Sequence, residues 1–302
     1  MADSRFRLSI LAFALLGTLT ACGGSSSSSS ANPEEGGPAP VEPVPPVDPV
    51  APVDPVAPVA PVDPVEPEPA EPGPGGGATP GTGAAADCLN GSLYDATATV
   101  SLEYTIIGPL SGTSKSDYTI TPSAIFEGQA SSKAQGTVTT TYTGQAPIVT
   151  NVQNFFQMDG LAVNDLGNIT ETSSLGSVYT TRTVNDPAYR DLKFTLAAGA
   201  SDEQTIGRVT TVSGGIVPET TVRTTETRRV TYAGRETVTV PAGTFETCRF
   251  DFTVAIGAES DTATDWVAVG KGLSVKSVAR DTDTATETTL ELTSGRINGA
   301  PI

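Results

Sequence analysis

Three cysteines and no histidine bound the chemistry open to this chain of 302 residues. Without an imidazole there is no triad of the Ser-His-Asp kind, and no serine sits in a G-x-S-x-G elbow. Hydrolysis by paired carboxylates needs two acids at a defined separation. Asp261, Asp265, Asp281, Asp283 and Glu287 are of the right type, but on alternating strands they read as a solvated face. The run from Asp281 to Glu287 lacks the central glycine and twelve-residue register of an EF-hand. Gly270-Lys271-Gly272 lies in no G-x-x-x-x-G-K-[ST] phosphate loop. Arg228 and Arg229 beside Glu226 read as surface ion pairs of little energetic value. The expectation is a protein that is not an enzyme and carries no metal or cofactor. What remains is the chemistry of the thiols Cys22, Cys88 and Cys248.

Cys22 closes an apolar run and opens a serine tract. Arg5 and Arg7 precede the run Leu8–Leu19, which at about a dozen residues is too short to span a ~30 Å hydrocarbon core permanently. This is the pattern of an export leader. Leu19-Thr20-Ala21-Cys22 resembles the lipobox of bacterial lipoproteins. The resemblance implies cleavage before Cys22, diacylation of its sulfur and acylation of the new amino terminus. Each buried methylene contributes ~0.8 kcal/mol, so several chains anchor firmly where one does not. Gly23 follows with no Asp, and similarity to sorted lipoproteins then implies the outer membrane. The partner expected here is a membrane, through covalent acyl chains.

Seventeen of the 24 prolines lie between Pro33 and Pro80, in a stretch without aromatics that cannot build a core. Its three-residue repeat, PVDPVAPVDPVAPVAPVDPVEP from Pro46 to Pro67, matches the three residues per turn of polyproline II. At ~3.1 Å per residue it reaches on the order of 100 Å. A Pro-x-x-Pro ligand for an aromatic groove is the other reading, but it lacks flanking basic residues. There is no basic residue between Arg7 and Lys115, so the tether is acidic. The formal charge of −17 disfavours nucleic acid as a partner.

From Tyr94 onward apolar residues alternate with polar ones, as in Val100-Ser101-Leu102-Glu103-Tyr104-Thr105-Ile106. Further runs of this kind cover 118–121, 136–143, 191–196, 220–232, 236–240, 247–254 and 289–293. Ala233-Gly234, Ala242-Gly243 and Asn298-Gly299 supply turns between or after them. No amphipathic helix follows the leader. The fold class expected is all-β: an antiparallel, strongly curved sheet, half-barrel or barrel. Residues 1–21 are the leader, 22–86 the lipidated cysteine and linker, and 87–302 the β domain.

With Cys22 acylated, Cys88 and Cys248 form an even pair in an exported chain, which favours a disulfide over two separate thiols. On the strand after Pro241-Ala242-Gly243, Cys248, Phe250, Phe252 and Val254 point one way. The set Val240-Pro241-Ala242-Gly243-Thr244-Phe245, Cys248, Trp266 and Gly270-Lys271-Gly272-Leu273-Ser274-Val275-Lys276 resembles a pattern recurrent in bacterial envelope proteins. Those are similar to the curved-sheet domains of lipoprotein carriers. The resemblance implies a structural hairpin at Pro241, Ala242, Gly243 and Phe245, and a concave face bearing Phe250, Phe252 and Trp266. Three roles follow as expectations. The first is a tethered, non-catalytic envelope module that binds an envelope protein or cell-wall component, or acts structurally. The second is a carrier or sensor of an apolar ligand. The third is a cell-surface adhesin.

Replacing Cys22 by Ala is expected to release the protein from the membrane fraction after cell breakage. A chain that still sediments with membranes is anchored by something else.

Overall fold

The computed structural model describes residues 83–174, 177–215, 218–282 and 284–302. The leader, Cys22, the linker up to residue 82 and Asp283 lie outside the described residues.

Thirteen strands follow one another around a single antiparallel sheet: β1 (Ala98–Ile107), β2 (Gly112–Phe126), β3 (Gln129–Tyr142), β4 (Ile148–Asp159), β5 (Ala162–Ser174), β6 (Ser177–Asp191), β7 (Ser201–Gly214), β8 (Thr220–Val240), β9 (Gly243–Ile256), β10 (Glu259–Ala268), β11 (Ser274–Asp281), β12 (Thr286–Ile297) and β13 (Ala300–Pro301). Each strand pairs with its chain neighbours, and β12 also pairs with β1. Twelve strands therefore close into an up-and-down barrel, with β13 appended to β12.

The seam is apolar on its inner side. Val100, Leu102, Tyr104 and Ile106 of β1 are each no more than 2% exposed. Across the seam Tyr104 faces Leu292 and Ile106 faces Leu290. Each such side chain contributes about 1.5–3 kcal/mol by leaving water, so closure is driven by burial as well as by the strand ladder. Gly295 faces Leu102, and the Ile302 side chain occupies the space beside it: a Cβ there would lie 2.6 Å from Ile302 Cδ1. The outer face carries charge, including Lys115, Asp117, Arg229, Arg249 and Arg280.

One end of the barrel is filled. The segment leading into β1 forms a 3₁₀ turn at Ala85–Cys88 and a single helical turn at Ser92–Asp95. Cys88 and Leu93 are buried, and Leu93 joins the cluster of the β1 seam. The Tyr232 hydroxyl donates to Gly83 O (2.6 Å), and Gly270 N–H donates to Asp87 O (2.7 Å). A second short segment, with a 3₁₀ turn at Lys193–Thr195, packs beside the first. Its Phe194 ring meets Phe250 edge-on at 5.7 Å.

Cys88 and Cys248 are joined, with Cα atoms 6.1 Å apart and 160 residues between them. The bond ties the filling segment to the inner face of β9, amid Val230, Tyr232, Phe250 and Val267. The β8–β9 hairpin turns at Pro241-Ala242, where Gly243 takes φ of 142°, a conformation disfavoured for other residues. Ala242 N–H donates to Leu292 O (2.9 Å), so this hairpin docks on β12.

Two expectations about elements are corrected. Residues 191–196 are not a strand: β6 ends at Asp191, and the chain turns so that Phe194 enters the interior and Lys193 pairs with Asp191. Ala233-Gly234 is not a turn. It is a bulge between Tyr232 and Gly234 within the 21-residue strand β8. An extra residue there changes which side chains face inward without ending the ladder.

Chain entropy assigns a disulfide closing so long a loop about 5 kcal/mol before strain. Replacing Cys88 and Cys248 together by Ser in the full chain is expected to lower the unfolding free energy by about 3–5 kcal/mol, read from urea midpoints. A loss below ~1 kcal/mol would show that the filling segment holds its place without the bond.

Candidate functional site

Beyond the filled end the barrel interior is polar. Glu226 of β8 is fully buried and meets two arginines: Arg208 Nη1 of β7 at 3.0 Å from Oε2, and Arg228 Nε, which donates to Oε1. Glu226 and Arg228 are two residues apart on one strand, so both point inward with Val230 and Tyr232. The Arg228 guanidinium also lies 4.7 Å from the Tyr189 ring centroid. Nearby, Lys193 Nζ is 3.0 Å from Asp191 Oδ2, both side chains being buried. Burial, reinforced by Asp191, pushes the Tyr189 phenol well above its ordinary pKa and keeps it neutral. Taking each of these ions out of water costs several kcal/mol, so the cluster holds only because every charge has a partner.

Asp265 of β10 belongs to the same layer. It faces Phe250 and Ser277 across the sheet and accepts a hydrogen bond from Ser274 Oγ. Burial raises its pKa to about 6, an effect that the Ser274 bond and the charge of Lys193 oppose and that of Asp191 reinforces.

Next to the charged layer runs a row of amides and hydroxyls set by strand register. Asn154 (β4) faces Asn168 (β5), which faces Thr183 (β6), which faces Thr210 (β7). Asn185 is anchored through Nδ2, which donates to Asp165 Oδ2 (2.9 Å) and to Asp165 O (3.2 Å). Two residues further toward the other end, Thr170 faces Thr181, and then Thr172 faces Tyr179. These last residues point inward yet are only half-buried, whereas the inward side chains of β1 are sealed. The inner wall is dry at the filled end and along β1, and wet along β5 and β6 toward the other end.

On the outside, the β2–β3 hairpin tip bends over β4–β6. Phe126 stacks on Phe155 at 4.3 Å, and the Arg182 guanidinium lies 5.5 Å from the Phe126 centroid. Beside this overhang is a groove of 1170 Å³ lined in part by Asp117, Lys133, Gln135 and Asn151. Its polar groups bond one another: Ser101 to Asp117, Lys133 to Gln135, Thr137 to Asn151.

The residues singled out from sequence are only partly brought together. Cys88, Cys248 and Phe250 share one buried cluster, with Phe252 packed at its edge. Trp266 does not join them. Its neighbours Asp265 and Val267 face inward, so the indole lies on the opposite face, 5.9 Å from the Arg249 guanidinium and 5.8 Å from Lys276 Nζ, and donates to Glu236. Pro241, Ala242, Gly243 and Phe245 form the docking hairpin, with Ala242 and Phe245 packed against the cluster of the β1 seam. Asp265 is buried rather than solvated, and Glu226 and Arg228 are internal rather than superficial. Their period-two spacing with Val230 and Tyr232 was the signal for that placement.

No family model matches the chain, and no curated protein matches it significantly. Among solved structures, the hypothetical lipoprotein YmcC from Escherichia coli K12 aligns at 12% identity and a TM-score of 0.31, covering 67% of this chain and 87% of that one. A protein with YmcC-like fold from Bacteroides fragilis aligns at 13% identity and the same TM-score of 0.31, covering 67% of this chain and 94% of its own. A likeness at this level transfers no residue role.

Asp265 has a measurable consequence. Its carboxyl stays protonated in the fold up to a pKa of about 6, against an ordinary value of 3.8. Between those two values the folded state binds more protons than the unfolded chain, so stability falls as pH rises through that window. The loss, about 3 kcal/mol, is complete above the folded value. Asp265→Asn is expected to abolish this slope and to raise stability at neutral pH, measured as urea midpoints across the acid range.

Proposed function

We propose that this protein is a non-catalytic, lipid-anchored envelope module whose barrel binds another component through its wet end. One observation carries the reading: inward-facing side chains pass from fully buried near the disulfide to half-exposed threonines at the opposite end. A purely structural barrel gains nothing from leaving that half of its interior to water. Gly83, the first described residue, lies beside the filled end, where its carbonyl accepts from the Tyr232 hydroxyl. The leader and Cys22 support export and acylation, and Gly23 supports the outer membrane as the destination. The missing histidine supports a role without catalysis.

A carrier of apolar ligands has less support. Phe250, the aromatic best placed for it, is fully buried against Phe194 and Tyr232. The half that water reaches mixes threonine hydroxyls with the methyls of Val138, Val152 and Val212.

Native mass spectrometry of the full chain, released from membranes in mild detergent, tests the reading. A co-purifying mass is expected that is lost in Thr181→Trp, which fills the wet end, and kept in Thr180→Trp, which faces outward. No such mass, or one indifferent to Thr181→Trp, overturns it.

A further inference from the structure

Resting on that reading, we propose that the wet half of the barrel is a site for a neutral, polyhydroxylated ligand, a saccharide, whose hydroxyls donate to Asn154 and Asn185.

The starting point is two acceptors without donors. Among the described residues, Asn154 Oδ1 and Asn185 Oδ1 are buried and accept no hydrogen bond. The two residues are only 7% and 6% exposed. Rotating the Asn185 amide does not cure this. Its nitrogen already donates to the Asp165 carboxylate and backbone carbonyl, and a flip would set oxygen against oxygen. The orientation is therefore locked, and Oδ1 needs a donor from elsewhere. A buried acceptor left unmet weakens a fold, which is why such groups in native proteins have partners as a rule.

The surroundings specify what kind of donor. In the rows running from Asn154 and Asn168 through Thr170, Thr181 and Thr210 there is no charged side chain. The nearest ions are already engaged: Asp165 accepts from Asn185 Nδ2 and from Gly167 N–H, and Arg208, which faces Asn185 across the ladder, pairs with Glu226, whose other oxygen is held by Arg228. The inward carboxylates Asp261 and Asp281 face each other on β10 and β11, outside these rows. An apolar ligand would strand the threonine hydroxyls and both amide oxygens. Threonine offers a methyl and a hydroxyl side by side, which suits the alternating C–H and O–H surface of a sugar ring. The hydroxyl pairs that do form, Thr183 with Thr210 (3.4 Å) and Thr150 with Thr172 (3.2 Å), each use one donor and leave the other available. Size agrees as well. Eight-stranded barrels already hold one small ligand, and this barrel closes with twelve strands.

The test is isothermal titration of the full chain with neutral oligosaccharides (maltohexaose, cellohexaose, chitohexaose and mannohexaose). Hexagalacturonate serves as the acidic counterpart and N-phenylnaphthylamine as the apolar one. At least one neutral sugar is expected to bind, with little change in affinity from about 50 to about 500 mM salt. Thr170→Val together with Thr181→Val, which keeps shape and removes two hydroxyls, is expected to weaken that binding about tenfold. Thr180→Val, on the outer face of the same strand, is expected to leave it unchanged. Sugar binding indifferent to the inner pair overturns the placement. Binding of hexagalacturonate or phenylnaphthylamine alone, lost in Thr181→Trp, overturns the ligand class while the wet end stands as a binding site. Binding of none of these probes overturns the saccharide assignment, and the co-purified mass above then decides separately whether the wet end binds anything.

Discussion

A sheet of twelve strands that closes on itself has no exposed edge, but it encloses more volume than its own side chains can fill. Every other feature of this protein answers that constraint at one end or the other. At the end where β1 begins, the chain fills the volume from outside the sheet. The segment from Gly83 to Asp95 and the turn at Lys193–Thr195 bring in Cys88, Leu93 and Phe194. The disulfide to Cys248 fixes the first of these where a short, mostly irregular segment would otherwise have little reason to stay. Its few buried side chains offset the entropy of ordering it only in part, and the cross-link lowers the remainder.

Between the filled and wet halves lies the charged layer. Arg208, Glu226, Arg228, Asp191 and Lys193 would be costly in an apolar core and unremarkable in water. At the boundary they do what neither neighbour can. They terminate the dry packing without leaving an apolar floor exposed, and they consume their own charge. The rows beyond it on β4 to β7 can therefore be neutral. Asp265, whose carboxyl is raised toward neutrality by burial, shows how little spare charge the layer tolerates.

The all-β class and antiparallel pairing were legible because strands such as β1 have strongly apolar inner positions against polar outer ones. The Cys88–Cys248 pair was legible from the number of cysteines and the reading of the leader as an export signal. The side of Trp266 was misread because a long aromatic among inward candidates was assigned by type, whereas its parity with Asp265 and Val267 placed it outside. The filling segment escaped notice because Cys88, Leu93 and Phe194 act singly, with no periodic neighbours to announce them. The expected strand at 191–196 failed for a related reason: alternation in a short run does not distinguish a strand from a 3₁₀ turn that buries one residue.

Strands β6 and β7 were hardest to read, and the cause bears on function. Thr180 and Thr181, or Thr210 and Thr211, place the same residue type on opposite faces of the sheet. A period-two signal depends on contrast between faces, and here the contrast is missing because both faces meet water. The same absence of contrast that hides these strands from pattern reading describes a barrel wall with a polar interior. In β1, where one face is dry, alternation is plain. In β6 and β7, where the inner face is wet, it vanishes along the part of the wall that lines the amide and threonine rows. The loss of alternation is thus a sequence-level trace of the lumen itself: a strand needs threonine on its inner face only if something polar, whether solvent or ligand, is there to meet it.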